Sequence, residues 1–444
     1  MKKRESILKP AGKIRGGARL PHNKHTAEME SVVSAPPEKV IISMSQHIGA
    51  PCEPTVNVGD KVFVGTVIGD TAAFVSAPIH SSVSGEVSEI TTIRMPAGNE
   101  VKAVVIASDG EMTPDPAIKP PKVDTIDEFI AAVRASGLVG LGGAGFPAHI
   151  KLKPSEDKPI DTLIINGAEC EPYITADYRE CMENPSDILG GVYFLKKMLN
   201  IDKVIIGVED NKPKAIKTLY DIAANEQDVD DKVKLMKLKS RYPQGAEKVL
   251  IYSATKRKLP LGKLPADIGC IVMNITSIAF LYRYIKTGMP LVTKRITVSG
   301  NAVTEPKNLI VPIGTPISHV LDYCKAENPE KVMMGGPMMG IAVYDTSLPI
   351  LKQNNAILAF KGKEAQNKPT TDCIRCGRCV RACPMSLTPA MVDFAIKNPK
   401  VEELNALNVM YCMECGSCAF VCPAGRPLTA VMRLAKNEVR KAGK

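Results

Sequence analysis

Hydrophobic and polar positions fall into blocks of changing period, and the period predicts the elements. Residues 30–107 read as short strands broken by turns. Val56-Asn-Val-Gly59-Asp60-Lys-Val-Phe-Val-Gly65-Thr-Val-Ile-Gly69 alternates with a period of two. Ala77-Pro78-Ile-His-Ser-Ser-Val-Ser-Gly85-Glu-Val follows, and 101–106 supplies another strand. Residues 108–122, rich in Pro, Asp and Gly, read as a linker. A helical period begins at Thr125, with Thr125 and Glu128 in capping-box positions and Gly137 as the stop. From 160 to 240, apolar runs at 161–166, 203–208 and 233–238 alternate with a helical pattern at 214–224, the rhythm of a layered α/β domain. Segments 294–303 and 309–321 read as strand-turn-strand-helix. The Met- and Gly-rich run 333–340 reads as packing against a neighbouring domain. Helical patterns return at 389–397 and 401–407, and 428–441 is a basic amphipathic helix.

A chain of 444 residues exceeds one core, and about three domains are expected. Apolar content of 45% and charge of 23% describe a globular protein. The longest apolar stretch, 268–284, is broken by Asn274, Thr276, Ser277 and Arg283 and falls short of the ~18–20 residues of a membrane span. The start, Met1-Lys2-Lys3-Arg4-Glu5, carries no apolar signal run, which points to the cytoplasm. The net charge of +10 sits at the ends: +7 over residues 1–25, +7 over 361–444, and −4 between. No aromatic-basic interleaving accompanies these ends, so nucleic acid is not expected; an acidic partner or anionic headgroups fit better, and plain solvated charge is the equal alternative.

Chemistry is written most plainly in the cysteines. Cys373-Ile-Arg-Cys376-Gly-Arg-Cys379-Val-Arg-Ala-Cys383-Pro384 and Cys412-Met-Glu-Cys415-Gly-Ser-Cys418-Ala-Phe-Val-Cys422-Pro423 are both C-x2-C-x2-C-x3-C-P, the bacterial ferredoxin spacing. In that arrangement the fourth cysteine serves the other cluster. Cys373, Cys376, Cys379 and Cys422 are therefore expected to hold one 4Fe-4S cluster, and Cys412, Cys415, Cys418 and Cys383 a second. Zinc has no use for this doubled rhythm. The 28 residues between the runs, 384–411, favour a helical ferredoxin domain. Cys52, Cys170, Cys181, Cys270 and Cys324 read as buried thiols.

A second informative stretch is Gly140-Leu-Gly142-Gly143-Ala-Gly145-Phe146-Pro147-Ala-His-Ile-Lys151. It matches G-x-G-x-x-G, but a helix precedes it and a proline follows, so the ordinary dinucleotide fingerprint fails. What survives is a run of glycines that exposes backbone N–H groups to a phosphate or flat ring, with Lys151 nearby to neutralise charge. The segment Asn166-Gly-Ala-Glu169-Cys-Glu171-Pro172 lies just past a strand, where α/β sheets bind ligands, although it also reads as a turn or capping cluster.

Several resemblances follow from these residues. The turns at 59–69 and 84–87 resemble the barrel-sandwich (biotinyl/lipoyl) fold. The hairpin between its halves, 70–76, lacks a carrier lysine, so a structural or docking module is expected rather than a swinging arm. The glycine stretch, Asn166-Gly-Ala-Glu169-Cys-Glu171-Pro172, Tyr242-Pro-Gln-Gly245-Ala-Glu247 and Val272-Met273-Asn274-Ile-Thr-Ser277 resemble, in order, four motifs of the NADH-oxidising flavoprotein subunit of respiratory complex I. The following segment resembles an SLBB domain. With the barrel-sandwich in front and the double ferredoxin behind, the layout resembles the RnfC family, the C subunits of Rnf complexes, whose N-terminal pattern Arg15-Gly-Gly-Ala-Arg-Leu-Pro-His-Asn-Lys24 is similar.

That resemblance implies a multidomain α/β and α+β chain. Residues 1–110 would hold the barrel-sandwich, 122–288 a Rossmann-like FMN/NADH core, 289–345 an SLBB (ubiquitin-like) domain, and 346–444 a helical ferredoxin with two 4Fe-4S clusters and the basic tail. It implies that Gly140, Gly142, Gly143 and Gly145 line FMN with Lys151 on its phosphate, and that Asn166, Gly245 and Asn274 hydrogen-bond the flavin. Phe146 would stack near the nicotinamide of NADH, and Glu169, Glu171 and Glu247 would orient the dinucleotide. Ala168, Ala246 and Met273 depart from the complex I pattern, each removing a polar contact. The implied function is electron transfer between NAD(H) and partner subunits, an iron–sulfur subunit above all, in an ion-translocating ferredoxin:NAD oxidoreductase, peripheral on the cytoplasmic face of the cell membrane. A cobalamin-reductase-like flavoprotein would carry its barrel-sandwich elsewhere in the chain. The NAD-reducing subunit of a soluble hydrogenase or formate dehydrogenase would carry a helical-bundle cluster, whose C-G-x-C-x-x-C pattern does not occur here. A flavin-free electron relay stays open on the three departures.

Arg375, Arg378 and Arg381 lie beside the ligands of the first cysteine run, and their charge should favour the reduced, more negative cluster. Alanine at all three should lower that cluster's midpoint in a redox titration; an unchanged midpoint contradicts the reading.

Overall fold

The computed structural model describes residues 8–10, 14–153, 155, 157–225 and 232–443. Lys2, Lys3, Arg4 and Lys13 of the N-terminal basic run lie outside these. The chain's centre is a five-stranded parallel sheet in the order Leu8–Pro10, Val233–Leu238, Lys203–Glu209, Thr162–Gly167 and Cys270–Asn274. The strands Lys203–Glu209, Thr162–Gly167 and Cys270–Asn274 are buried on both faces along most of their length, as parallel strands between helices must be. Helices Ile126–Ala135, Pro185–Met198 and Ile275–Thr287 pack with Leu163, Ile165, Val204 and Ile206 into the largest core. The capping box at Thr125 is present in full, and Gly137 follows the helix with a φ of +67°.

Ahead of this core, two small antiparallel sheets enclose Val40, Ile42, Ile68, Ile79, Val87 and Ile106. One holds Lys39–Ser43, Glu100–Ser108, Gly85–Arg94 and Lys61–Val62. The other holds Glu53–Pro54, Val67–Asp70 and Ile79–His80. Face-to-face burial of alternating residues makes this the sandwich that the glycine-punctuated pattern predicts. It is clamped to the core by Arg134, which reaches Asp70 with both terminal nitrogens at 2.6 and 3.1 Å.

Beyond the core lies a six-stranded sheet in the order Ser31–Val33, Lys307–Pro312, Thr293–Ser299, Ala356–Phe360, Lys331–Met334 and Ile341–Val343, with helix Ile317–Tyr323 against one face. Its strand Ala356–Phe360 lies past residue 345. All five of its residues are buried, so the segment has no alternation to read. The edge strand Ser31–Val33 comes from the N-terminal region and pairs in parallel with Lys307–Pro312. From Gly362 to Gly443 the chain is helical, with Leu387, Val392, Leu404, Val409 and Met432 forming a separate small core. Helix Leu428–Ala442 spends part of its basic face internally: Lys436 and Arg433 both pair with Glu414, at 2.5 and 2.9 Å. Among the described residues no helix is long and apolar enough to cross a membrane.

Lys352 sits where the sandwich, the core and the six-stranded sheet meet. It is 1% exposed and donates to the carbonyls of Pro78 (2.9 Å) and Gly137 (2.8 Å). Burial lowers its ammonium to about 7. Below that pH both folded and unfolded chains hold the proton; above it, up to about 10.4, only the unfolded chain does. Wild-type stability relative to Lys352→Met should therefore rise across this window, by at most roughly 1.4 kcal/mol per pH unit. Denaturant melts at a series of pH values measure it, and a flat difference contradicts it.

Candidate functional site

Asn166 and Asn274 stand side by side at the carboxyl ends of two parallel strands, in register with each other. This is where open α/β sheets form ligand crevices. Asn274 caps helix Ile275–Thr287, accepting from Thr276 N (2.9 Å) and Ser277 N (3.2 Å), and donates to Asp177 Oδ2 (2.8 Å). Asn166 donates to Gly245 O (2.9 Å) and accepts from Ala168 N (3.1 Å). Each carboxamide thus has its nitrogen and oxygen engaged by the protein and shapes the crevice floor.

The glycine loop leans over this floor between firm anchors. Leu141 donates its N–H to Ser277 Oγ (3.3 Å), and its carbonyl accepts from buried Lys294 (3.2 Å). Gly140 N donates to Phe146 O (2.9 Å), and Gly145 O accepts from Ile48 N of the sandwich (3.2 Å). Between the anchors Gly142, Gly143 and Ala144 are exposed, and among the described residues nothing accepts from their N–H groups. A Cβ on Gly142 would lie 2.5 Å from Asn274 Nδ2, and one on Gly245 would lie 2.3 Å from Ala168 O. One on Gly143 would meet nothing within 4 Å. Lys151 Nζ reaches Val272 O (3.2 Å) and Glu247 Oε2 (3.4 Å), while the Glu247 side chain stays 40% exposed. Phe146 is half-buried beside the crown. Outward N–H donors, a lysine and an open glycine fit a flavin nucleotide.

Glu169 and Glu171 are turned into the protein instead of toward that crown. Glu169 Oε1 accepts from Asp177 N (2.7 Å), and its Oε2 lies 3.4 Å from Tyr178 N and 3.4 Å from Lys212 Nζ, with both side chains buried. The start of helix Ala176–Glu183 and a buried lysine hold this carboxylate inside, where the sequence expectation had it orienting a dinucleotide. Glu171 accepts from Met338 N (3.0 Å) and Met339 N (2.9 Å) of the Met- and Gly-rich loop. Burial pushes its carboxyl up to about 7. Of the three expected orienting carboxylates, Glu247 keeps an open side next to Lys151.

An N-terminal strap crosses this region. Gly16 fits against the Cys383 carbonyl, where a Cβ would come within 2.6 Å, and has a φ of +61°. Gly17 N donates to Ala382 O (2.8 Å), and Ala18 exchanges both backbone hydrogen bonds with Tyr242. Further on, the half-buried Lys24 donates its ammonium to the carbonyls of Glu169 (2.9 Å), Glu171 (2.7 Å) and Ile174. Tyr242, 3% exposed, donates its hydroxyl to Cys415 O at 2.6 Å and lies 3.5 Å from Glu171 Oε1. Motif reading gave Lys24 and Tyr242 no role of their own, and it read the run holding Met338 as packing against a neighbouring domain, which its contacts with Glu171 and Gly416 match. The available signals were the 15–24 pattern and the tyrosine that opens the Y-x-x-G run.

The cysteines gather in two cavities. Cys383, Cys412, Cys415 and Cys418 line one with Met385, Leu387 and Met432. Cys373, Cys376, Cys379 and Cys422 line the other, with Ile374, Met391 and Phe394 around them. Each fourth cysteine has crossed to the other run's set. Four cysteines lining one open space suit a polynuclear group. Burial pushes the Cys412 thiol up to about 11 and Cys418 up to about 12, so metal binding must draw these protons off. The first cavity abuts the core through Cys415, the Met338 loop through Gly416 and the N-terminal strap through Cys383; the second carries the exposed Cys376.

Three family models match the chain: the RnfC barrel sandwich hybrid domain over residues 12–111, the Nuo51 FMN-binding domain over 133–283, and the 4Fe-4S dicluster domain over 372–426. The C subunit of the proton-translocating ferredoxin:NAD(+) oxidoreductase complex of Clostridium ljungdahlii is 41% identical over 97% of this chain and 94% of its own. Its counterpart from the Na(+)-translocating complex of Acetobacterium woodii is 40% identical over 96% and 97%. The chain belongs to the RnfC family. Among solved structures, a NAD+-reducing nickel–iron hydrogenase in its H2-reduced state aligns with a TM-score of 0.49 and 19% identity, over 72% of this chain and 62% of that one. As in the family models, this RnfC-family chain joins a barrel-sandwich hybrid, an FMN-binding core and an iron–sulfur domain.

The cradle geometry separates two glycines. Gly245→Ala should destabilise the fold by about 1–3 kcal/mol, because the obstacle is backbone. Gly143→Ala should leave stability within about 0.5 kcal/mol yet weaken FMN binding at least tenfold. Thermal melts and flavin fluorescence titration check both. Unchanged FMN affinity in Gly143→Ala would place the flavin elsewhere.

Proposed function

We propose that this protein is the NAD(H)-binding, electron-transferring subunit of a membrane-bound, ion-translocating ferredoxin:NAD+ oxidoreductase, working through FMN and two 4Fe-4S clusters. The observation that carries the reading is continuity. One path of named contacts runs from the crown at 142–144 through Asn274 and Asp177 to the Glu169–Glu171 turn, then through Tyr242 to Cys415. FMN, when bound, takes two electrons as hydride and releases them singly, which is what joins a nicotinamide to iron–sulfur clusters.

The chain's own residues supply position and environment. The N–H groups of Gly142, Gly143 and Ala144 and the Lys151 ammonium hold the nucleotide's anionic end. Phe146 presents an aromatic face for the nicotinamide, and Glu247 a carboxylate for its ribose or amide. Asn166, Asn274 and Gly245 fix the floor against which the ring lies. The sulfurs of Cys412, Cys415, Cys418 and Cys383 hold the cluster nearer the core, and those of Cys373, Cys376, Cys379 and Cys422 the outer one. Ile374, Met391 and Phe394 stand exposed around the outer set, with Arg375, Arg378 and Arg381 beside them. This face suits an acidic iron–sulfur subunit and keeps the protein peripheral at the cytoplasmic side of the membrane.

The six-stranded sheet is read as the SLBB-like (ubiquitin-like) unit. Thr293–Ser299 and Lys307–Pro312 form its hairpin, Ile317–Tyr323 its helix, and Ala356–Phe360 its parallel central strand, which supports that reading. A flavin-free relay is the second reading, favoured by Ala168, Ala246 and Met273 at positions where polar contacts are missing.

Anaerobic reconstitution with FMN, iron and sulfide, followed by titration with NADH, tests the proposal. Loss of absorbance in both flavin and cluster bands is expected. Cluster bleaching in a preparation that binds no flavin would favour the relay and contradict this reading.

A further inference from the structure

The Tyr242 hydroxyl is the most specific polar contact between the core and a cysteine loop. At 2.6 Å from Cys415 O it is a short, strong hydrogen bond inside a side chain that is 3% exposed. Three features fix its aim. Its backbone is paired on both sides with Ala18 of the strap. It lines one cleft with the Glu169–Glu171 turn, whose carbonyls, with that of Ile174, Lys24 gathers. Its oxygen faces the Glu171 carboxylate at 3.5 Å, and that carboxylate is itself held by Met338 N and Met339 N. Met338 O in turn lies 2.9 Å from where a Cβ of Gly416 would stand, so the Met- and Gly-rich loop meets the same cysteine loop from the other side.

We infer that Tyr242 is a positioning residue for the inner cluster: its hydroxyl fixes the Cys415 loop on the core and raises that cluster's reduction potential. The inference rests on the reading of Cys383, Cys412, Cys415 and Cys418 as cluster ligands. The physical basis is a donor dipole. The hydroxyl proton points its positive end at the carbonyl of a ligand residue, and extra negative charge on the reduced cluster is stabilised by such donors. Glu171 acts in the opposite sense on the same hydroxyl, competing weakly for its proton at the longer distance. Outer-set cysteines have no equivalent contact with the core among the described residues. The two clusters should therefore respond differently to a change at Tyr242.

The test is a redox titration, followed by electron paramagnetic resonance, of the full reconstituted chain and two variants. Tyr242→Phe removes the donor while keeping the ring. It should shift the inner cluster's reduction equilibrium about tenfold toward the oxidised form, about 59 mV for a one-electron couple, and leave the outer cluster unmoved. Site-specific replacement of Tyr242 by a fluorinated tyrosine strengthens the donor and should move the inner midpoint upward. A purely structural role would not produce opposite signs. Equal midpoints in all three proteins, or equal shifts in both clusters, overturn the inference. Wild-type protein that assembles only the outer cluster removes the ligand reading beneath it, and the inference with it.

Discussion

A cluster-bearing domain is useful to a flavoprotein only if it stays in one place, because electron transfer between sites is governed by their separation. Here that constraint is met by a buried polar seam. Interfaces between domains of one chain are mobile by default unless something specific ties them. The Tyr242 hydroxyl on the Cys415 carbonyl and Gly17 N on the Ala382 carbonyl are such ties, directional and buried, and the Met338 loop, held on Glu171, meets the same cysteine loop at Gly416. A seam of this kind rigidifies when every member is satisfied and loosens sharply when one is removed. The N-terminal strap belongs to it, since Gly16 is accommodated only because no side chain separates it from Cys383.

The same economy explains the buried carboxylates. A glutamate turned toward an open crevice would be solvated and mobile. Glu169 instead finds a helix start and Lys212, and Glu171 finds two backbone donors. With their backbone carbonyls gathered by Lys24, the two residues become the fixed link between the floor of the crevice and the iron–sulfur domain. Glu247 is left as the carboxylate with an open side near the glycine crown. The crown itself is held at both ends and bare in the middle, which is what a pre-organised binding loop requires.

Local rules made much of this legible. The capping box at Thr125, the three parallel strands between 160 and 240 and the helical character of the iron–sulfur domain follow from period and composition. The crossing of Cys383 and Cys422 to each other's sets follows from the doubled spacing, and the cavities show that crossing. Other features hid because they are long-range. Ser31–Val33 leaves the N-terminal region to edge the six-stranded sheet, and Leu8–Pro10 edges the parallel one, choices no local pattern encodes. Motif resemblance marks the Glu169–Glu171 segment along the chain but carries no information on the direction of its side chains. That direction depends on Lys24, Lys212 and Met338, which come from three other parts of the sequence.

We propose a linear order, from crown to inner cysteine set to outer set, held by the Tyr242 seam, with the two cysteine sets as cluster ligands. Stopped-flow mixing with NADH, with freeze-quenched paramagnetic resonance, reads that order most directly in two cysteine variants. Cys376→Ser, which removes an outer ligand, should leave inner-cluster reduction at the wild-type rate. Cys418→Ser, which removes an inner ligand, should slow reduction of the outer cluster by at least tenfold. Outer-cluster reduction at an undiminished rate in Cys418→Ser would contradict the account.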